Sequence, residues 1–495
     1  MSGATWASLT EQTAKIAALR ATAALLEWDQ QVMMPTGGGD ARSGQIALLA
    51  GLVHERMTDP VLSATLAELA SQPLPADQAA AVRNLQRDVA RAIRVPASLV
   101  SELARAQADG FQAWLDAKQS NDFATFAPKL SHLFALKRLE ASAIDPTRHP
   151  YDVLLEAFDP GTTLATLRPL FARLEEGLRP LIDAVRGLPA PAEVSGTFDL
   201  TAQKALHEQV MVALGFDTHR GRLDFSEHPF STAIANGDTR ITTHLYADDL
   251  LAGLSGTMHE AGHGMYEQGL PKALAGTTLD DAASYGLHES QSRFWENFIG
   301  RSLPFFRWLA PRIKAHIGAD VAPEAMFAAA NPVEPTLIRI FADEATYNLH
   351  ILVRFRLEVA LLEGSLAVED LPAAWNEAYA TTLGIRPPTD REGCLQDVHW
   401  GSGAIGYFPS YTLGNLYAAS LAAALQSELP DLWGQVERGE FAPILAWLRD
   451  RVHRHGHSAE APEIVRAAVG DRDGVTDLLD HLWSRHGKLY GVSRS

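Results

Sequence analysis

Residues 249–271 read DLLAGLSGTMHEAGHGMYEQGLP. Asp249, or Asp248 before it, suits an N-cap, while Leu250, Leu251, Leu254 and Met258 recur at helical spacing. Gly269 with Pro271 closes the segment, so the stretch is predicted to be a helix. Inside it lies His259-Glu260-Ala261-Gly262-His263. Residues four apart share a helix face, so both imidazoles reach one metal ion while Glu260 projects beside them. Zinc suits nitrogen and carboxylate donors with one position left for water. Gly262 and Gly264 each cost about 1 kcal/mol relative to alanine in a helix. Their presence predicts that a neighbouring backbone or a substrate packs closely on this turn. The plain alternative is a chance histidine pair on a solvated or core face, against which the helical context weighs.

A catalytic metal needs a third protein ligand. Downstream, Asp280 is expected to cap a helix through Tyr285, His288, Glu289, Ser292, Arg293 and Glu296, with Leu287, Phe294 and Phe298 on its apolar face. His288, Glu289 and Glu296 are all chemically suitable, and spacing alone does not choose among them. Upstream, Asn236-Gly237-Asp238 reads as a turn before the β-prone run Thr239 to Tyr246, which places a small sheet immediately ahead of the motif.

Elsewhere helical periodicity dominates. Ser8 and Glu11 form a capping-box pattern ahead of Ile16, Leu19, Ala23 and Leu26. A stripe runs Leu164, Leu167, Phe171, Leu174, Leu178, Leu181, Val185, with Pro169 and Pro180 expected to end or kink it. After the turn-like Asn331-Pro332-Val333-Glu334-Pro335, another runs Leu337, Phe341, Ala345, Leu352, Phe355, Val359, Leu362, with Gly364 as its stop. The expected class is mainly α.

The chain has 495 residues, 46% of them hydrophobic, and a net charge of −18. Such acidity argues against nucleic acid or an anionic membrane as the main partner, because both attract basic surfaces. Mean hydropathy of −0.06 fits a chain with a sizeable core. One cysteine, Cys394, rules out an internal disulfide and reads as a small buried residue despite His399 nearby. The N-terminal stretch has no basic segment ahead of an apolar run, so no secretory signal is expected. The uncharged run Trp400 to Gln426 holds too many Gly and Pro residues for a membrane span and reads as a buried loop followed by a helix. A soluble cytoplasmic protein is the expectation.

At this point the motifs carry a resemblance. His259-Glu260-x-x-His263 followed by His288-Glu289-Ser290-Gln291-Ser292-Arg293 resembles the thermostable (Taq-type) metallocarboxypeptidases. Asp238-x-Arg240-x-Thr242, Ile338-Arg339-x-x-Ala342-Asp343 and Gly393-x-x-Gln396-Asp397-x-His399-Trp400 fit the same family. So do Trp28-Asp29, Met34-Pro35, Arg42, Gln45, Thr58-Asp59, His228-Pro229-Phe230, His453 and Gly456, which carry the resemblance toward both ends. The resemblance implies one metallocarboxypeptidase domain over residues 1–495. It would be a large helical peptidase fold, two lobes flanking a deep substrate groove, similar to neurolysin and the angiotensin-converting enzymes. It also implies Glu289 as third metal ligand, a homodimer, and removal of single C-terminal residues from peptides.

The residues suggest how such a reaction runs. A zinc ion, with cobalt as a substitute, would be held by His259, His263 and Glu289, and Glu260 would act as general base and then acid. The charge developing on the carbonyl oxygen needs a donor, for which Tyr407, Tyr411 and His399 are candidates; ordinary core or rim aromatics are the alternative. A substrate's terminal carboxylate suits a guanidinium fork, with Arg240 and Arg339 as candidates. Arg339 and Asp343 would otherwise form an intrahelical pair, and Asp343, Asp238 or Asp397 would orient a ligating histidine. His453-x-His455-x-His457 resembles a metal tract but reads better as a solvated helix end. Two other functions compete: an oligopeptidase cutting internally, and a non-catalytic peptide-binding scaffold. Glu260 argues against the scaffold, since metal binding alone gives no reason for an unliganded base.

Overall fold

The computed structural model describes residues 2–272 and 276–494. The structure is 68% helix, and among the described residues the remainder includes one three-stranded sheet, so the fold is mainly α, as the periodicity predicts. Two compact units are built from interleaved segments. The first comprises Met1–Ala92, Ala192–Ala330 and Tyr417–Arg472; the second comprises Ile93–Pro191, Asn331–Leu416 and Asp473–Ser495. Among the described residues no helix is long and apolar enough to cross a membrane.

In the first unit, the opening helix spans Ser2–Val32, so Ser8 lies inside it rather than at its start. The expected capping box is absent there; Glu11 instead pairs with Lys15 one turn on, at 2.8 Å. Leu9 and Ile16 of this helix join Met57, Leu62, Leu66, Leu69, Val82, Leu85 and Val89 in one buried cluster.

The sheet precedes the motif helix as expected. Strands β1 (Gly221–Phe225), β2 (Ser231–Ala235) and β3 (Asp238–Thr243) lie in the order β1-β3-β2, with β1 parallel and β2 antiparallel to the central β3. Asn236-Gly237 forms the β2–β3 turn, where Gly237 takes φ +114°, a region glycine enters without steric cost. The sheet anchors the motif helix: Thr243 Oγ1 donates to the Gly253 carbonyl, and Thr257 Oγ1 donates to Thr243 Oγ1 at 2.8 Å.

In the second unit, the stripe from Leu164 to Val185 is one helix, with both prolines inside it. All seven stripe residues are buried, each worth about 1.5–3 kcal/mol, which outweighs the ~3 kcal/mol of an internal proline. The stripe from Leu337 was read too early: the helix is Tyr347–Glu363, closed by Gly364 at φ +77°. Asp343 is the reason. Its carboxylate accepts from the Ala345 and Thr346 amides and the Thr346 hydroxyl, which starts the helix late. Arg339–Phe341 is a separate 3-10 turn whose Ile340 and Phe341 are exposed. The Tyr347–Glu363 helix is buried nearly all round, and even its His350, Arg354 and Glu358 are fully covered. Turns after Trp400 lead into the helix Pro409–Glu428, and Cys394 is buried, both as expected.

Candidate metal centre

The motif helix is Leu250–Gly269, and Asp249 Oδ1 accepts from the Leu251 and Ala252 amides at 2.9 and 3.0 Å. His259 and His263 therefore stand one turn apart, with ring centroids 4.9 Å from each other. The next helix is Tyr285–Arg293, and its cap is Ser284, whose hydroxyl accepts from Leu287 N. Asp280, the expected cap, instead accepts from the Asn236 side-chain amide. Beyond Arg293 the helix widens into a π-helical run, Phe294–Gly300, a form that often marks functional sites.

Close contact between these two helices decides the geometry. A Cβ at Gly262 would lie 2.5 Å from the Gln291 carbonyl oxygen and 2.7 Å from Ser292 Cα, and one at Gly264 would lie 2.6 Å from Phe216. Gly262 is thus the point of close backbone approach that its helix cost predicts, whereas Gly264 makes room for the Phe216 and Ile241 side chains. That approach sets Glu289 Oε2 3.7 Å from His259 Nε2 and 3.5 Å from His263 Nε2. Among the described residues, His259, His263 and Glu289 form a set whose ligand atoms all lie within 4.8 Å of one another. Two imidazole nitrogens and one carboxylate oxygen facing each other fit a divalent cation and leave room for water.

The other face of each group is tied down. Arg293 Nε donates to Glu289 Oε1 at 2.8 Å, leaving Oε2 toward the imidazoles. His259 Nδ1 meets Glu296 Oε2 at 2.8 Å, and His263 Nδ1 meets His288 Nδ1 at 2.5 Å. Glu296 also accepts from Ser255 Oγ, Arg293 and Arg301, and His288 Nε2 lies 2.8 Å from Glu267 Oε1. Burial alone would raise both carboxyls, but Arg293 and the histidines hold Glu289 and Glu296 well below the usual carboxylate range. Glu260, also buried, is raised by burial to about 7, helped by the neighbouring charges of Glu289 and Glu296 and opposed by His259.

Of the three ligands that spacing left open, then, only Glu289 converges with the histidines; Glu296 and His288 stand behind them. Asp343, Asp238 and Asp397, read as possible orienting groups, have other partners. Asp343 holds the turn ahead of the Tyr347–Glu363 helix, Asp238 pairs with Arg240, and Asp397 holds two arginines. Glu267, Arg301 and Ser255 were missed, and only the i+4 and i−3 spacing of Arg293 from Glu289 and Glu296 signalled part of the network.

The remaining candidates gather elsewhere. Arg240, on β3, makes a two-pronged pair with Asp238 and stacks 4.3 Å over Trp28. In the second unit, Arg339 Nε donates to Asp397 at 2.9 Å and its Nη1 to Tyr347 Oη, in place of the expected pair with Asp343. Arg354 Nε donates to the other Asp397 oxygen at 2.6 Å. Two buried guanidiniums thus share one carboxylate. His399 Nε2 lies 3.2 Å from Tyr411 Oη, and the Tyr407 and Tyr411 rings meet edge-on at 5.2 Å. Arg339 lies 4.9 Å over the Tyr411 ring, so Arg339, His399, Tyr407 and Tyr411 form one cluster. The His453–His457 segment is not a solvated helix end. His453 and His457 are buried, bonded to Gln291 and beside Arg87 respectively, because the chain turns inward at Gly456 against Leu279.

Residues 8–486 match the family model described as "Carboxypeptidase Taq (M32) metallopeptidase". The chain is 42% identical to "Thermostable carboxypeptidase 1" of Thermus thermophilus, over 99% of each chain. It is 37% identical to "Carboxypeptidase 1" of Bacillus subtilis, over 94% of this chain and 95% of that one. Among solved structures, an M32 carboxypeptidase from Deinococcus radiodurans R1 superimposes with a TM-score of 0.96 at 39% identity, covering 99% of this chain and all of the other.

Proposed function

Since the chain belongs to the carboxypeptidase Taq (M32) metallopeptidase family, and is therefore a metal-dependent carboxypeptidase, we propose that its reaction runs at the His259–His263–Glu289 centre with Glu260 as the proton carrier. The observation that carries this reading is the convergence of His259 Nε2, His263 Nε2 and Glu289 Oε2 beside a buried glutamate that makes none of the convergent contacts. Zinc is the metal this donor set suits best, with cobalt as a functional substitute. When bound, it supplies Lewis acidity that makes a water acidic near pH 7 and polarises the scissile carbonyl.

The rest is done by side chains. Glu260 takes the proton from the attacking water and delivers it to the leaving amine nitrogen. Arg293 and Glu296 keep Glu289 and His259 from turning away, so no reorganisation is needed during the reaction. Arg339 is the better candidate for the substrate's terminal carboxylate, because two guanidiniums against Asp397 leave a net positive charge, whereas Arg240 is neutralised by Asp238. Tyr411 and His399, with Tyr407 beside them, cluster with Arg339 and are our candidates for the developing oxyanion. The substrates are read as peptides with a free C-terminus and the acting form as a homodimer, both on the resemblance of the motifs alone, with the cytoplasm as its place of action.

The test is a mass-spectrometric time course on one peptide offered as free acid and as C-terminal amide, with and without chelator. Stepwise loss of C-terminal residues from the acid only, stopping on chelation, is expected. Equal rates on acid and amide would assign internal cleavage instead.

A further inference from the structure

The two ligand imidazoles are held by different devices. His259 Nδ1 meets the Glu296 carboxylate directly, whereas His263 Nδ1 meets a second imidazole, His288 Nδ1, at 2.5 Å. The carboxylate comes one step later, at Glu267 Oε1, 2.8 Å from His288 Nε2. His263 and Glu267 lie one turn apart on the motif helix, and His288 reaches between them from the next helix, directly before Glu289. All three side chains are mostly shielded from solvent.

Two ring nitrogens in such contact can hold only one N–H between them, so one donates and the other accepts. If His263 Nε2 keeps its lone pair free as a metal donor beside Glu289, the imidazole's proton sits on Nδ1. His288 Nδ1 then accepts it, so the proton of His288 sits on Nε2 and is donated to Glu267. Each tautomer in the row fixes the next. A ligating histidine ordinarily donates its free N–H to a carboxylate, a carbonyl or water. Here the influence of the carboxylate is passed through an intervening ring.

We propose that His288 and Glu267 are positioning residues that fix the tautomer and ring orientation of His263 through the row Glu267–His288–His263. The proposal rests on the reading of His259, His263 and Glu289 as metal ligands. The competing explanation is that His288 only fills space, since its ring also packs 5.3 Å from Tyr266.

The experiment measures zinc dissociation constants by chelator competition on the full chain and on His288→Ala, His288→Asn, Glu267→Ala and His263→Ala. It is accompanied by absorption spectra of the cobalt-substituted proteins and thermal melts of the metal-free ones. His288→Ala is expected to weaken zinc binding by about 10–100-fold and to shift the cobalt bands. Asparagine places Oδ1 near the former Nδ1 and accepts the same proton, so His288→Asn is expected to recover the affinity to within a few-fold. Glu267→Ala is expected to fall between them. Wild-type affinity in His288→Ala, or no recovery in His288→Asn, overturns the row. If His288→Ala does not fold, wild-type affinity and spectrum in Glu267→Ala overturn it as well. Equal zinc binding by wild type and His263→Ala would instead sink the ligand assignment itself.

Discussion

Replacing Gly262 by alanine perturbs a close contact between the two helices that carry the proposed metal ligands. The added Cβ would stand 2.5 Å from the Gln291 carbonyl oxygen and 2.7 Å from Ser292 Cα. Non-bonded carbons rest at about 3.5–4.0 Å, so the helices must separate by roughly 0.8–1 Å. Both obstructing atoms are backbone, and no rotamer change relieves them. Alanine gains about 1 kcal/mol of helix propensity, while overpacking costs about 1–3 kcal/mol, so the net stability loss is at most about 2 kcal/mol. The metal site feels more. Glu289 lies two residues before Gln291, and its Oε2 stands only 3.5 and 3.7 Å from the two imidazoles. Metal–ligand bonds tolerate about 0.2 Å, so a shift several times larger should weaken metal binding by at least about tenfold. Gly51→Ala is the control, since nothing lies within 4 Å of its added Cβ and only the propensity gain remains. Chelator competition and melting of the metal-free protein read the two effects separately. If Gly262→Ala binds metal like wild type and melts higher, as Gly51→Ala should, close backbone approach does not explain this glycine.

Glu260→Gln keeps volume and burial but removes the proton acceptor, so hydrolysis should fall by about 10²–10⁴-fold while bound metal, measured per chain, stays stoichiometric. Retained activity contradicts the proton-carrier role. Glu358 offers a separate pH test. It is buried between Tyr151 Oη at 2.8 Å and Trp400 Nε1 at 2.9 Å, and burial raises its carboxyl from 4.5 to about 7. The folded chain therefore holds this proton longer than the unfolded one. Its stabilising contribution is full below pH 4.5 and is lost as pH rises through about 7. Glu358→Gln carries no such titration, so its stability relative to wild type should improve by up to about 3 kcal/mol across that window. Denaturant melts at the two ends of the window measure it, and a constant difference refutes the assignment.

What the sequence made legible was what one helical period dictates. His259 and His263 share a face because they are four apart, and Asp249 and Gly269 bound the helix by local chemistry. Even Gly262 and Gly264 announced a close neighbour, because glycine in a helix has a cost that something must offset. The failures came where tertiary contacts overrode local preference. Pro169 and Pro180 stay inside a helix because the stripe they interrupt is buried. Asp343 draws amides to itself and moves a helix start from the neighbourhood of Leu337 to Tyr347. His453 and His457 looked solvated beside Arg451 and Arg454, yet Gly456 packs against Leu279 and turns them inward. None of these reversals has a signature within a helical turn.

The choice between Glu289 and Glu296 shows why residue type could not identify the ligand. Both are buried glutamates seven residues apart, and both bind Arg293. The difference lies in which oxygens are already committed. Glu296 Oε2 receives His259 Nδ1 and Arg293, and its Oε1 receives Ser255 and Arg301, so both oxygens are engaged. Glu289 gives Oε1 to Arg293 and turns Oε2 to the two Nε2 atoms. A cation needs a lone pair not already used, and only Glu289 offers one facing both rings. On the proposed reading, Glu296 orients His259. Ligand and orienting group are thus distinguished by their hydrogen-bond partners, Ser255 on the motif helix and Arg301 beyond the π-helical run, which no spacing rule within the motif contains.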